Sequence, residues 1–233
     1  MNLDPNNLIA AGVQILILLM AISCHEAAHA WTALKCGDRT AFEAGRVSLN
    51  PLRHFDIFGS LLVPGILALS GGPVFGWARP TPVRLARLGN PQRDHLLVTL
   101  AGPGANVLLG AVGLAALAIA LAALGPQAGA TATASLMRDF ETATQGANFP
   151  LVFTLVQIAF LNGFLALFNL LPIPPLDGGQ IVLQFLPPDW AERFSSVRRY
   201  GFMIVLGLAV INVLWVLVIP VLVVISVVIG LTS

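Results

Sequence analysis

Residues 8–35 read LIAAGVQILILLMAISCHEAAHAWTALK. The first half is an apolar run. The second half is amphipathic and carries His25, Glu26 and His29. As one helix the stretch exceeds the rise needed to cross a hydrocarbon core of about 30 Å. An ionisable group at mid-bilayer costs roughly 2.5–3.5 kcal/mol or more, so such groups inside a spanning helix are functional by default. The fold and the chemistry are therefore posed by the same stretch.

The rest of the composition agrees with a membrane setting. Of 233 residues, 57% are hydrophobic and 10% charged, whereas a soluble domain has about a quarter charged. Lipid must solvate part of such a chain. The net charge of +1 offers nothing to nucleic acid. The eleven Arg and single Lys cluster at 35–53, 79–93 and 193–199, while 125–148 holds only Arg138, beside Asp139 and Glu141. By the positive-inside rule the three basic stretches face the cytoplasm and 125–148 faces outward. The N-terminus lacks a basic n-region and reads as a retained membrane helix, not a cleaved signal. Cys24 and Cys36 are about 18 Å apart along one helix and are expected as free thiols.

The expected fold is an all-α polytopic membrane protein, one domain over 1–233, with about 4–6 membrane segments. The motif helix is 8–35, running outside to inside. A re-entrant region at 43–83 contains IFGSLLVPGILAL (57–69), too short to span and broken at Pro64-Gly65. A helix at 95–124 runs outward, and 125–149 reads as a polar external loop. A broken helix at 150–186 returns inward, interrupted by Pro172, Pro174 and Pro175. Residues 201–231, with Pro220 inside, form one kinked helix or a tight pair.

His25, Glu26 and His29 form H-E-x-x-H. Two histidines four apart on a helix share one face, so both imidazoles can reach one Zn²⁺. Glu26 is offset by about 100°, where it can act as general base on water. Zinc lowers the pKa of that water to about 7. A catalytic zinc has three protein ligands and an open position, so a third ligand is required. The candidates are His54, His95, Glu43, Asp56, Asp94 and Asp177. His25 lies about 15 Å from the cytoplasmic end of its helix, and Asp177 follows an inward-running helix in proline-broken backbone, which places the two at similar depth. Depth thus favours Asp177; its alternative role is an N-cap for 178–186.

Five segments in order, HEAAH (25–29), NPLRHFDIFG (50–59), GWARPTPV (76–83), AGPGAN (101–106) and NLLPIPPLDGG (169–179), resemble motifs of the site-2 protease family of intramembrane zinc metalloproteases. The resemblance covers roughly 20–186 and is nearest to compact prokaryotic members without PDZ or CBS domains. It implies one Zn²⁺ per chain on His25, His29 and Asp177, with Glu26 catalytic. It implies a substrate-binding or oxyanion role for Asn169, with an interhelical hydrogen bond as the alternative. Asn106 matches another motif position, where the same role competes with packing. His95 reads as interfacial. The region 43–83 would present substrate as an extended strand. The implied activity is hydrolysis of peptide bonds in or beside transmembrane segments, in regulated intramembrane proteolysis. The implied setting is the inner membrane, with lipid and a transmembrane protein substrate as partners and the active site in the cytoplasmic half. The competing readings are a non-catalytic pseudo-protease that binds membrane proteins, and a metal transporter. Against transport stand the absence of an inverted repeat and of a second broken helix.

Overall fold

A computed structural model describes residues 5–69, 76–137, 140–146, 148–211 and 213–232. Arg138, Asp139 and residues 70–75 of the expected re-entrant region lie outside them. The described residues are all-α, and four helices are long and apolar enough to cross a membrane. The chain is an all-α polytopic membrane protein.

The motif helix is α1, Pro5–Lys35, unbroken through His25 and His29. A short α2 (Thr40–Glu43) follows. Residues Ile57–Leu62 wind with π-helical pitch into α3, Val63–Leu69. The second spanning helix, α4, covers Pro91–Leu124 and passes through Pro103. Asn90 caps its first turn by accepting the Arg93 N–H, and Pro91 sits where no helical donor is needed. The third spanning helix is α7, Phe149–Asn169.

The expected outer loop is instead largely helical: α5 covers Pro126–Leu136 and α6 Phe140–Thr144. The sequence PQAGATATASL looks polar, but its alanines are strong helix formers and Pro126 suits the first turn. Hydroxyls are satisfied along the helix itself, as Thr131 donates to Gln127 O at 3.0 Å and Ser135 to Thr131 O at 2.7 Å. Small Ala128 and Ala132 then pack against Leu121, Val152, Val156 and Ile225.

After α7 the proline-broken stretch turns into α8 (Asp177–Phe185) and α9 (Pro188–Ser196). The C-terminal stretch is two helices, α10 (Gly201–Val210) and α11 (Trp215–Thr232). The separation falls before Trp215, and Pro220 lies inside α11. Ile225 and Ile229 of α11 cluster with Leu121 of α4 and Ala128 of α5, so the C-terminal part of α11 sits with the C-terminal end of α4.

Helices in lipid gain little by hiding apolar surface from one another, so close approach through small residues carries the packing. At α4 against α7, Gly110 lies where an added Cβ would be 3.5 Å from Gly163 N and 3.7 Å from Ala159 O. A second apolar cluster joins Leu18, Ala21 and Ile22 of α1 to Leu161 and Leu165 of α7. Outward faces stay apolar, with Leu16 64%, Leu108 65% and Ile119 71% exposed. On a soluble monomer such continuous apolar surface would aggregate; here it is the lipid contact.

Candidate metal centre

The centre is assembled by α1, α4 and the start of α8. His25 and His29 share the buried face of α1, and their Nε2 atoms stand 3.0 Å apart. Asp177 Oδ2 lies 3.2 Å from His25 Nε2 and 3.4 Å from His29 Nε2. Among the described residues these three form the His/Cys/Asp/Glu group able to hold a metal. Asp177 is the first residue of α8, and the N-cap position before it is held by Leu176. Its Oδ2 is buried with no hydrogen-bond partner.

The outer nitrogens of the two rings explain what the inner ones do. His25 Nδ1 is 2.6 Å from Asn106 Oδ1, and His29 Nδ1 is 2.6 Å from the Val98 carbonyl. Both partners are acceptors, so both Nδ1 atoms carry the proton. Each Nε2 then presents a lone pair toward the other and toward a carboxylate oxygen. Three electron-rich atoms at 3.0–3.4 Å repel one another unless a positive charge, a proton or a metal ion, sits among them. Two imidazoles and a carboxylate are a zinc donor set with room for a fourth position. The residues therefore fit the metal.

Gly102 supplies the space. It lies on α4 facing both rings, and a Cβ there would come within 2.6 Å of His25 Cε1 and closer still to His29 Nε2. The proline-rich loop does the same for Asp177. A Cβ on Gly179 would lie 2.7 Å from Ile173 C, and one on Gly178 would overlap the Leu170 and Leu171 carbonyls. The double glycine lets α8 start directly beneath the 170–175 backbone, which carries the carboxylate to the histidines.

The other third-ligand candidates are engaged elsewhere. Asp56 caps the helix at 57–62 by accepting the Gly59 N–H at 2.8 Å. Glu43 pairs with Arg87 at 3.6 Å. Asp94, 2% exposed, accepts the Asn90 N–H at 2.7 Å. His54 Nε2 meets Ser48 O at 2.8 Å. His95, read from sequence as interfacial, is half-buried and lines the cavity beside the metal centre.

That cavity has a volume of about 690 Å³ and is bordered by Glu26, Thr81, His95, Asn169, Gln180 and Arg198 as well as by the centre itself. Part of its wall is the non-helical segment 76–83. Trp77 N–H donates to Gly59 O at 3.0 Å and Arg79 N–H to His54 O at 2.9 Å. Thr81 N–H continues the alternation and donates to Glu26 Oε2 at 2.8 Å, while the Thr81 hydroxyl donates to Glu26 O at 3.1 Å. Pro80 and Pro82 have no N–H, so Thr81 is the one backbone donor of the P-T-P triplet. This contact was not anticipated from sequence, although the P-x-P pattern around one residue with a hydroxyl was the visible signal.

The two asparagines are placed differently. Asn169 lines the cavity and donates to Leu165 O at 2.9 Å. Asn106 is fully buried behind His25, outside the cavity lining.

Four helices long and apolar enough to cross a membrane, an H-E-x-x-H pair completed by a carboxylate, and Glu26 at an adjoining cavity together match a membrane metallopeptidase. The chain belongs to peptidase family M50, whose profile matches residues 13–214. It is 36% identical over 196 residues to YwhC of Bacillus subtilis (strain 168), covering 84% of this chain and 79% of that protein. It is 30% identical over 202 residues to Rip2 of Mycolicibacterium smegmatis (strain ATCC 700084 / mc(2)155), covering 85% and 68%. Both carry the description "Putative zinc metalloprotease". No solved structure matches the chain significantly.

Proposed function

We propose that the protein is a zinc endopeptidase that hydrolyses peptide bonds within or next to transmembrane segments of other membrane proteins. The observation that carries this reading is the convergence of His25, His29 and Asp177 at 3.0–3.4 Å on membrane helices, beside a cavity that Glu26 enters. A zinc ion on these residues supplies Lewis acidity toward a peptide carbonyl and makes water a nucleophile near neutral pH.

The chain's own groups do the rest. Glu26, with one carboxylate oxygen held by Thr81, takes the proton from water and returns it to the leaving amine. Asn169, which lines the same cavity, meets substrate or the developing oxyanion. The extended run at 76–81 offers an edge beside the scissile bond, on which an unwound substrate segment pairs as a strand. Residues 57–69 sit as a re-entrant element behind that run, on the cytoplasmic side with the basic clusters. The enzyme acts from the cytoplasmic half of the cell membrane, in regulated intramembrane proteolysis.

The test uses the full chain in proteoliposomes with a model transmembrane substrate. Glu26→Gln keeps zinc and loses cleavage. Cleavage by that variant at the wild-type rate would overturn the mechanism.

A further inference from the structure

Asn106 holds His25, but something must hold Asn106. Its carboxamide can face His25 in two ways. With Oδ1 toward the ring, His25 Nδ1 donates and Nε2 is free for a metal. With Nδ2 toward the ring, Nδ1 must accept, the proton moves to Nε2, and the metal position is blocked. The choice sits two contacts further from the centre, on a third helix.

Asn106 Nδ2 donates to Asn162 Oδ1 at 3.0 Å and reaches Ala21 O at 3.4 Å. Asn162 Nδ2 donates in turn to the Ile158 carbonyl at 2.9 Å, one turn back along α7. A backbone carbonyl only accepts. Ile158 O therefore forces the Asn162 amine toward itself and its oxygen toward Asn106. That oxygen forces the Asn106 amine toward α7 and its oxygen toward His25. Flipping Asn162 would set its oxygen against Ile158 O and its amine against the Asn106 amine, and flipping Asn106 would set its oxygen against Asn162 Oδ1 and Ala21 O, mismatches that burial makes costly. Asn162 is 3% and Asn106 0% exposed, and neither lines the cavity.

We propose that Asn162 is a positioning residue for the metal centre: through Asn106 it sets which nitrogen of His25 carries the proton, and so holds Nε2 as a ligand. It acts on metal affinity without touching substrate. The inference rests on the metal reading of His25, His29 and Asp177. It gives a second reason for three helices to meet at this depth: α7 contributes polarity where α1 contributes the ligand and α4 the intermediary.

The experiment measures zinc dissociation constants of the full chain in detergent micelles, by competition with a chromophoric chelator, and the melting temperature of the metal-free protein in parallel. Asn162→Leu keeps the bulk and removes the polar chain. It weakens zinc by about ten- to hundredfold, the usual size of an outer-shell loss. Asn162→Asp is buried and hence protonated, so it still donates to Ile158 O and accepts from Asn106. It binds zinc within about threefold of wild type. If Asn162→Leu does not fold, Asn162→Ala is read against the same two limits.

Wild-type zinc affinity in Asn162→Leu, with or without a lowered melting temperature, overturns the proposal, because a merely structural residue would leave affinity alone. Equal weakening in the Leu and Asp variants overturns it too, since packing and not polarity would then be at work. Wild-type protein that takes up no zinc, or Asp177→Ala that binds it normally, overturns the metal reading itself and this inference with it.

Discussion

The Thr81 backbone N–H points at Glu26 Oε2 from 2.8 Å while the Thr81 hydroxyl reaches the carbonyl of the same residue. One residue thus grips Glu26 at both its side chain and its main chain. The two contacts are separable. Thr81→Val removes the hydroxyl and keeps the N–H; Thr81→Pro removes both. A hydrogen bond to a charged group contributes about 1.5–3 kcal/mol. Thr81→Pro is expected to lower kcat by roughly ten- to hundredfold and Thr81→Val by much less, with zinc content unchanged in both. Steady-state cleavage kinetics beside metal analysis of the same preparations check this. Loss of zinc from Thr81→Pro would mean that the segment supports the centre and not Glu26.

Gly102→Ala separates the centre from the helix that carries it. Alanine is the better helix former by about 1 kcal/mol, but its methyl overpacks the α1–α4 contact by about 1–3 kcal/mol, so the metal-free protein should melt at or modestly below wild type. The same methyl enters the space of the His25 and His29 rings, and zinc affinity should fall at least about tenfold. Thermal unfolding with and without added zinc reads both effects. The zinc-induced rise in melting temperature should shrink or vanish in the variant.

The ligand assignment predicts opposite results for Asp177 and His54. Asp177→Ala should lose the bound zinc, because two imidazoles alone leave the site a donor short. His54→Ala should keep it, because His54 Nε2 meets the Ser48 carbonyl and lies outside the cavity lining. Zinc per chain in purified protein decides.

Asp38 gives a pH signature outside the membrane spans. It is fully buried just after α1, and its carboxylate accepts the Arg84 N–H at 2.6 Å and the Thr40 N–H at 2.9 Å. Burial pushes this carboxyl up, but the Arg84 and Thr40 hydrogen bonds and the nearby Arg87 charge together hold it below the usual carboxylate range. A depressed folded-state value means the folded state releases the proton more readily than the unfolded one. The resulting stability is complete above the unfolded value of about 3.9 and is lost as pH falls through the lower folded value. Asp38→Asn should therefore melt below wild type near neutral pH, with the gap closing as pH falls below about 4. A gap that stays constant with pH would assign the effect to hydrogen-bond geometry alone. Since Asp38 ties the start of 84–90 to the end of α1, the variant should also loosen the Thr81 contact and lower kcat.

Much of this molecule is written in short-range patterns. The apolar run before His25 specifies a spanning helix because no water is present to satisfy any other backbone, and H-E-x-x-H fixes two ligands and a neighbouring carboxylate by helical pitch alone. The family motifs placed Asp177 with them, and simple depth along two helices did the same. PQAGATATASL looks polar to a hydropathy scan and reads as a loop, while its alanines pack as a small-residue face against α7 and α11. His95 was set aside because nothing local shows that its turn of α4 borders a cavity.

What the sequence determined by itself is the medium, the spans and the identity of the chemistry-bearing groups, since each depends on neighbours within a few turns. Only the tertiary structure decided the orientation of those groups. Thr81 meets Glu26 across 55 residues, Asn106 meets His25 across 81, and Asn162 meets Asn106 across 56. Hydrogen-bond direction depends on which atom faces which, and that is settled when α1, α4 and α7 close on one another and exclude any competing partner.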